Sequence, residues 1–161
     1  MQWGIDAMNL DVLLTPGHLI SLAARGFVRL SEARLKPLGL GVGHLPVLMA
    51  LRDGRANTQR DLARFARVEQ PPMAQMLARM ERDGLIERVL DPDDRRSSRI
   101  SLTEATKARL PNAVITLLQG NREALAGFTD EEAAQFVALL MRLIGNLDRI
   151  ANVETSLHTS F

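Results

Sequence analysis

Apolar residues recur at helical spacing along most of the chain. Thr15 stands before Pro16, an N-cap residue followed by a proline at the first helical position. Leu19, Ile20, Ala23, Phe27 and Leu30 then mark one face of a helix running to about Lys36. Pro37, Gly39, Gly41 and Gly43 predict a loop, and the apolar set Leu45, Val47, Leu48 and Leu51 a short second helix from His44 to Leu51, closed by Asp53-Gly54. Thr58 with Asp61 three residues on has the spacing of a capping box. It predicts a third helix from Gln59 to Arg67, with Leu62, Phe65 and Ala66 inward. A fourth helix starts near Gln70 and ends at Gly84. Pro71 and Pro72 suit its first turn, where N–H groups lack intrahelical partners, and its inner face is Met73, Met76, Leu77 and Met80.

Beyond Gly84 the period changes. Leu85 to Leu90 and Arg99 to Thr103 are short β-compatible runs, joined by the polar turn formers Asp91-Pro92-Asp93-Asp94-Arg95-Arg96-Ser97-Ser98, which predicts a hairpin with a basic tip. Thr103 caps a long helix through about Ala126, Thr129 with Glu132 opens a last helix to about Ile150, and the residues after Asn152 read as frayed. The expected fold is mainly α: six helices flanking one two-stranded β-hairpin.

Composition narrows the function classes. A chain of 161 residues, 46% of them hydrophobic, has the length and apolar content of one globular unit. It contains no cysteine, which excludes disulfides, thiolate metal sites and thiol-based sensing. The longest apolar stretches, Ala113 to Leu118 and Phe136 to Leu140, are far shorter than the roughly 20 residues of a membrane span, and Met1 to Asp6 carries no basic segment of a secretory signal. A cytoplasmic protein is expected. There is no tyrosine, no Gly-x-Ser-x-Gly elbow and no His-Glu-x-x-His helix, so neither a nucleophile nor a metal-bound base is apparent, and an enzyme is not expected. His18, His44 and His158 lie far apart without carboxylates at metal-binding spacing, so neither metal nor cofactor is expected. The Gly39-x-Gly41-x-Gly43 run has no lysine of a phosphate loop and reads as a turn. The methionine row at 73, 76 and 80 reads as core rather than as a pliable ligand surface.

Net charge is only +1, so an argument for a polyanionic partner must come from where the charges sit. Residues 52 to 99 hold 11 Arg against 9 acids, whereas residues 100 to 161 hold 5 basic residues against 7 acids. The basic centre coincides with two short helices, a tight turn and a basic-tipped hairpin, which is what a winged helix-turn-helix requires. Its second helix can enter a major groove. Outward positions near the start of that helix, Gln70, Pro72, Ala74, Gln75 and Arg79, would then face base edges or phosphates, with Gln suited to adenine and Arg to guanine. Thr58 and Arg60, at the start of the helix before it, join the DNA-contacting set. Arg95, Arg96 and Arg99, at or beside the hairpin tip, suit a narrow minor groove, whose negative potential attracts guanidinium groups.

Asp91-Pro92-Asp93-Asp94-Arg95-Arg96, followed by Ile100-Ser101-Leu102-Thr103-Glu104, resembles the wing of MarR-type regulators. Leu62-Ala63, Gln70-Pro71 and Glu81-Arg82-Asp83-Gly84-Leu85-Ile86-Glu87-Arg88 resemble the same family, over roughly residues 15 to 150. The resemblance implies a homodimer on a pseudo-palindromic double-stranded operator. It divides the single unit 1–161 into a winged-helix DNA-binding lobe over 43–103 and a helical dimerisation lobe from 8–36 and 104–152. It places the wing motif on Asp94 and Arg96, with Arg96 in the minor groove and Asp94 orienting it. It further implies a repressor released by a small aromatic or anionic effector. The effector residues are unassigned apart from His44, which begins the second helix near where the family's pocket lies. Two alternatives stay open: a winged-helix protein-interaction module without DNA binding, and a metal-responsive regulator. Three positions depart from the family pattern. Glu69 and Pro72 stand where hydroxyl residues often contact phosphate, and Thr106 replaces a common glycine and is expected to alter the bend into the long helix.

Overall fold

The computed structural model describes the backbone of residues 12–90 and 98–158, and side chains over 13–89 and 99–151. The helices are α1 (Pro16–Leu35), α2 (Leu45–Arg52), α3 (Gln59–Ala66), α4 (Gln70–Arg82), α5 (Glu104–Ala124) and α6 (Asp130–His158). Strands β1 (Ile86–Leu90) and β2 (Ser98–Leu102) pair antiparallel, with Ile86 opposite Leu102 and Val89 opposite Arg99. The mainly helical architecture with one two-stranded hairpin is the one expected. The chain forms two compact units, 1–120 and 121–161.

In the first unit the core gathers one face from each short element. Val47, Leu48 and Ala50 of α2, Leu62 and Ala63 of α3, and Met73, Leu77 and Met80 of α4 are buried together with Ile86, Ile100 and Leu102 of the hairpin and Leu110 and Ala113 of α5. Each large side chain among them contributes about 1.5–3 kcal/mol by leaving water, so the core fixes which face of each helix is left outside. The methionine row is core as expected, with Met76 only half-buried at its edge. Phe65 departs from expectation. It is 39% exposed, with the Arg55 guanidinium 5.9 Å from its ring centre, and Ala63 takes the inward place.

Glycine and its substitutes end the helices. At the end of α4, Gly84 adopts φ +68°, its N–H donates to the Glu81 carbonyl at 3.0 Å, and the Leu85 N–H donates to the Met80 carbonyl at 2.8 Å. This is the Schellman arrangement, including its apolar contact pair, because Met80 and Leu85 are both buried. Gly54 ends α2 in the same way, through Arg55 N–H to the Ala50 carbonyl at 2.9 Å. The segment expected as a loop after α1 holds two 3-10 turns, Lys36–Leu38 and Val42–His44. Arg109 of α5 braces the first of these turns, donating from Nη1 to the Leu38 carbonyl at 3.2 Å.

Thr103 begins α5. Its hydroxyl accepts from the Thr106 N–H at 3.3 Å and reaches the Gly84 carbonyl at 2.8 Å, so the start of α5 is held against the end of α4. Thr106 is fully buried, its hydroxyl 3.0 Å from that of Thr103. In the second unit both arms of the expected capping box form. The Thr129 N–H donates to Glu132 at 2.9 Å and the Glu132 N–H to the Thr129 hydroxyl at 3.2 Å. The last helix continues past the expected end near Ile150, to His158.

Candidate nucleic-acid interface

The geometry of α3 and α4 begins with Thr58. Its extended backbone stops the chain from continuing helically backward, and its hydroxyl accepts from the Asp61 N–H at 3.2 Å. The Asp61 carboxylate takes the Thr58 hydroxyl hydrogen at 2.8 Å and the Arg64 guanidinium at 2.6 Å, which leaves Arg60 exposed on the outer side of the same turn. The turn between the helices is closed by Arg67 in the left-handed region at φ +55°, with the Val68 N–H on the Ala63 carbonyl at 3.0 Å. It is the glycine-type helix ending carried by a non-glycine residue, and it lets α4 start with only three residues between it and α3.

Glu69 is the N-cap of α4. Its side chain makes no cap hydrogen bond, and its carbonyl accepts from Met73 at 3.1 Å. Pro71 and Pro72 occupy the first turn as expected, and the Gln59 side-chain amide donates to that of Gln70 at 3.2 Å, joining the starts of the two helices. With Met73, Leu77 and Met80 facing inward, Gln70, Pro72, Gln75 and Arg79 are exposed and Ala74 is half-buried at the margin. The centre of the outward face is Gln75 with Pro71, Ala78 and Arg82, all exposed; these three were not among the residues singled out from the sequence. The signal for two of them was available, since Ala78 and Arg82 lie three and seven residues beyond Gln75 on a helix of 3.6 residues per turn.

The hairpin follows α4 directly. Its root is fixed by buried Ile86, Ile100 and Leu102 and by the Ile100 N–H, which donates to the Asn57 carbonyl at 2.7 Å in the approach to α3. Asn57 was not anticipated as a hairpin partner, because a backbone carbonyl leaves no trace in residue type. Arg99 is exposed on β2. Asp94, Arg95 and Arg96 lie outside the described residues. Arg88 on β1 and Glu81 on α4 form an ion pair at 3.0 Å.

His44 stands immediately before α2. Its Nδ1 is buried without a hydrogen-bond partner, and Glu32 of α1 is occupied nearby in accepting the Val42 N–H at 2.8 Å. Burial pulls the His44 imidazole below its ordinary pKa of 6.5, against the raising influence of Asp83 and Glu32, with Arg79 adding to the lowering. Among the described residues no group of three or more His, Cys, Asp or Glu could hold a metal ion, and no helix is long and apolar enough to cross a membrane.

Comparison with known proteins agrees with this geometry. The MarR family model matches residues 42–98, which span α2, α3, α4 and β1 and end at the first residue of β2. An HTH-type transcriptional regulator of Bacillus subtilis (strain 168), YwoH, is 28% identical over 119 residues, covering 74% of this chain and 86% of the relative. The crystal structure of transcriptional regulator PA3341 superposes with a TM-score of 0.69 at 30% identity, covering 83% of this chain and 98% of the other. A mutant MarR from E. coli, complexed with operator DNA, gives a TM-score of 0.74 at 25% identity, covering 83% of this chain and 99% of the other.

Proposed function

The chain belongs to the MarR family, and we propose that it is a homodimeric, sequence-specific double-stranded DNA-binding transcriptional regulator, a repressor released by a small aromatic or anionic effector. The observation that carries this reading is the division of α4 into two faces. Met73, Leu77 and Met80 are taken up by the core, while Gln75, Ala78, Arg79 and Arg82 face outward beside a hairpin. A helix so placed fits one major groove, where Gln75 suits adenine and Arg79 guanine or phosphate. Arg95, Arg96 and Arg99 of the wing take the adjacent minor groove, and Thr58 and Arg60 approach the backbone phosphates. Regulators of this family are not enzymes, and this one acts by occupancy of DNA in the cytoplasm of a bacterial or archaeal cell. An effector changes that occupancy only through different affinities for two spacings of the recognition helices, a coupling of about 1–3 kcal/mol. His44, with its unpartnered Nδ1, is the candidate contact for it.

The experiment is a mobility-shift titration of the purified protein against its own upstream intergenic DNA and a scrambled duplex, at two salt concentrations, with wild type and Arg96→Ala. The expected result is specific binding that weakens with salt at a log–log slope of about −0.9 per phosphate contacted, and a marked loss in the variant. Equal, weak binding to both duplexes by both proteins, together with no sequence enriched in a random-site selection, would reject the reading in favour of an interaction module; an enriched sequence would place the operator elsewhere.

A further inference from the structure

Glu81 and Arg88 bridge the two parts that this reading places in adjacent grooves, and the strand pattern explains why they meet. Side chains alternate along β1, so Arg88 projects from the same face as buried Ile86, toward α4, while Glu87 and Val89 take the other face. Opposite Arg88 stands Ile100, already anchored by burial and by the Asn57 carbonyl. The Arg88 Nε donates to Glu81 Oε2 at 3.0 Å, spanning the Gly84 turn seven residues apart. On the opposite face, the Ser101 hydroxyl donates to Glu87 at 3.1 Å, tying the two strands to each other but not to α4.

We infer that Glu81 is a positioning residue for DNA recognition: through Arg88 it sets the angle between the recognition helix and the wing. The inference rests on the DNA-binding reading above. Buried Ile86, Ile100 and Leu102 and the backbone bonds around the Gly84 turn anchor the root of the hairpin, and the Glu81–Arg88 pair ties β1 to α4 beyond that root, limiting how far the outer part of the hairpin can bend away from the helix. Leverage makes the angle matter. A tilt of about 10° at the root moves the far end of a five-residue strand, about 15 Å away, by roughly 2.6 Å, whereas a hydrogen bond tolerates only a few tenths of an ångström. A dimer carries two such pairs, so the loss is felt at both half-sites.

The sign of the effect separates this role from simple electrostatics. Removing an acid near DNA should strengthen binding by reducing repulsion; loosening the wing should weaken it. The test measures fluorescence anisotropy with a duplex selected by the wild-type protein from a random pool, using Glu81→Gln, the exchanged pair Glu81→Arg with Arg88→Glu, Arg96→Ala, and Glu81→Gln combined with Arg96→Ala. Thermal melting verifies that each variant is folded. Glu81→Gln is expected to weaken binding by about 2- to 5-fold, the range open to a partly exposed ion pair, the exchanged pair to recover most of that loss, and the combined variant to bind no more weakly than Arg96→Ala alone. Wild-type or tighter binding by a folded Glu81→Gln, no recovery in the exchanged pair, or full additivity with Arg96→Ala overturns the inference while leaving the DNA-binding reading intact. Arg96→Ala binding like wild type removes the wing reading itself, and this role with it.

Discussion

A left-handed backbone at Gly84 connects the recognition helix to the wing, and nothing lies within 4 Å of where its Cβ would be. The constraint there is conformational rather than steric. Gly84→Ala is therefore expected to lower stability by about 1–2 kcal/mol, the cost of an L-residue in that region, seen as a lower denaturant midpoint at unchanged slope. Arg67 bears the same kind of conformation with a side chain attached. His44 shows a different residue-level effect. Its native pKa is depressed below the unfolded value of 6.5, mainly by burial. The native state therefore holds fewer protons than the unfolded chain, and stability falls as pH drops through 6.5 toward the native pKa. Glu32 of α1 and Asp83, the residue that follows α4, soften the effect and Arg79 sharpens it. Chemical denaturation between pH 7.5 and 5.5 is expected to show a loss of stability in the wild type that is reduced in His44→Asn. Parallel pH profiles would mean that the loss arises elsewhere.

Short helices depend on their ends, and α3, eight residues long, is the case in point. Thr58 satisfies one of its orphan N–H groups and holds the Asp61 carboxylate in place. Thr58→Ala is expected to cost about 0.5–2 kcal/mol and Thr58→Ser only a fraction of that, measured by thermal unfolding of both variants in parallel. Caps of this kind were legible in the chain because they rest on residue type at fixed spacing, as were the prolines opening α4, the glycine ending it and the alternation in the hairpin. The phase of α3 was harder to read. Two turns with few apolar residues do not determine which side faces the core, and the spacing of Leu62, Phe65 and Ala66 is compatible with an inward Phe65. In the structure the closer packing of α3 on its neighbours selects Ala63, and Phe65 remains at the surface under Arg55. Pro111 inside α5 does not end the helix: Pro111 and Lys107 are exposed, so solvent can meet the Lys107 carbonyl that the missing N–H leaves without a helical partner. At the candidate interface the outward side of α4 was recovered in part, because identifying Met73, Leu77 and Met80 as core sets the opposite arc, whose centre at Ala78 and Arg82 needed the helical projection carried one turn further. The Glu81–Arg88 contact joins a helix to a strand across a turn, and no spacing rule within a single element encodes it.

Assembly follows from apolar surface that the described chain leaves uncovered. None of the described side chains of α6 is buried, although Phe136, Val137, Leu139, Met141, Ile144, Leu147 and Ile150 are all large and apolar. In the other unit α1 likewise exposes Leu19, Ile20, Leu22 and Val28. Scattered apolar residues are ordinary on a surface, but a run of them along one helix marks an interaction site, and a second copy of the chain is the occupant that the proposed homodimer requires. Leu147, at 56% exposure, and Val89 of the wing, at 53%, are almost equally accessible to solvent, so a buried charge at one and an exposed charge at the other separates interface from surface. Leu147→Asp places a carboxylate where the partner would have to desolvate it, whereas Val89→Asp adds one to water. Sedimentation equilibrium is expected to show Leu147→Asp shifted toward monomer and Val89→Asp dimeric, with far-UV circular dichroism verifying helical content in both. Operator affinity of the monomeric variant should fall by about 100-fold or more, because the second half-site loses the effective concentration that the linked partner supplies. A Leu147→Asp protein that remains a dimer would move the interface away from this part of α6.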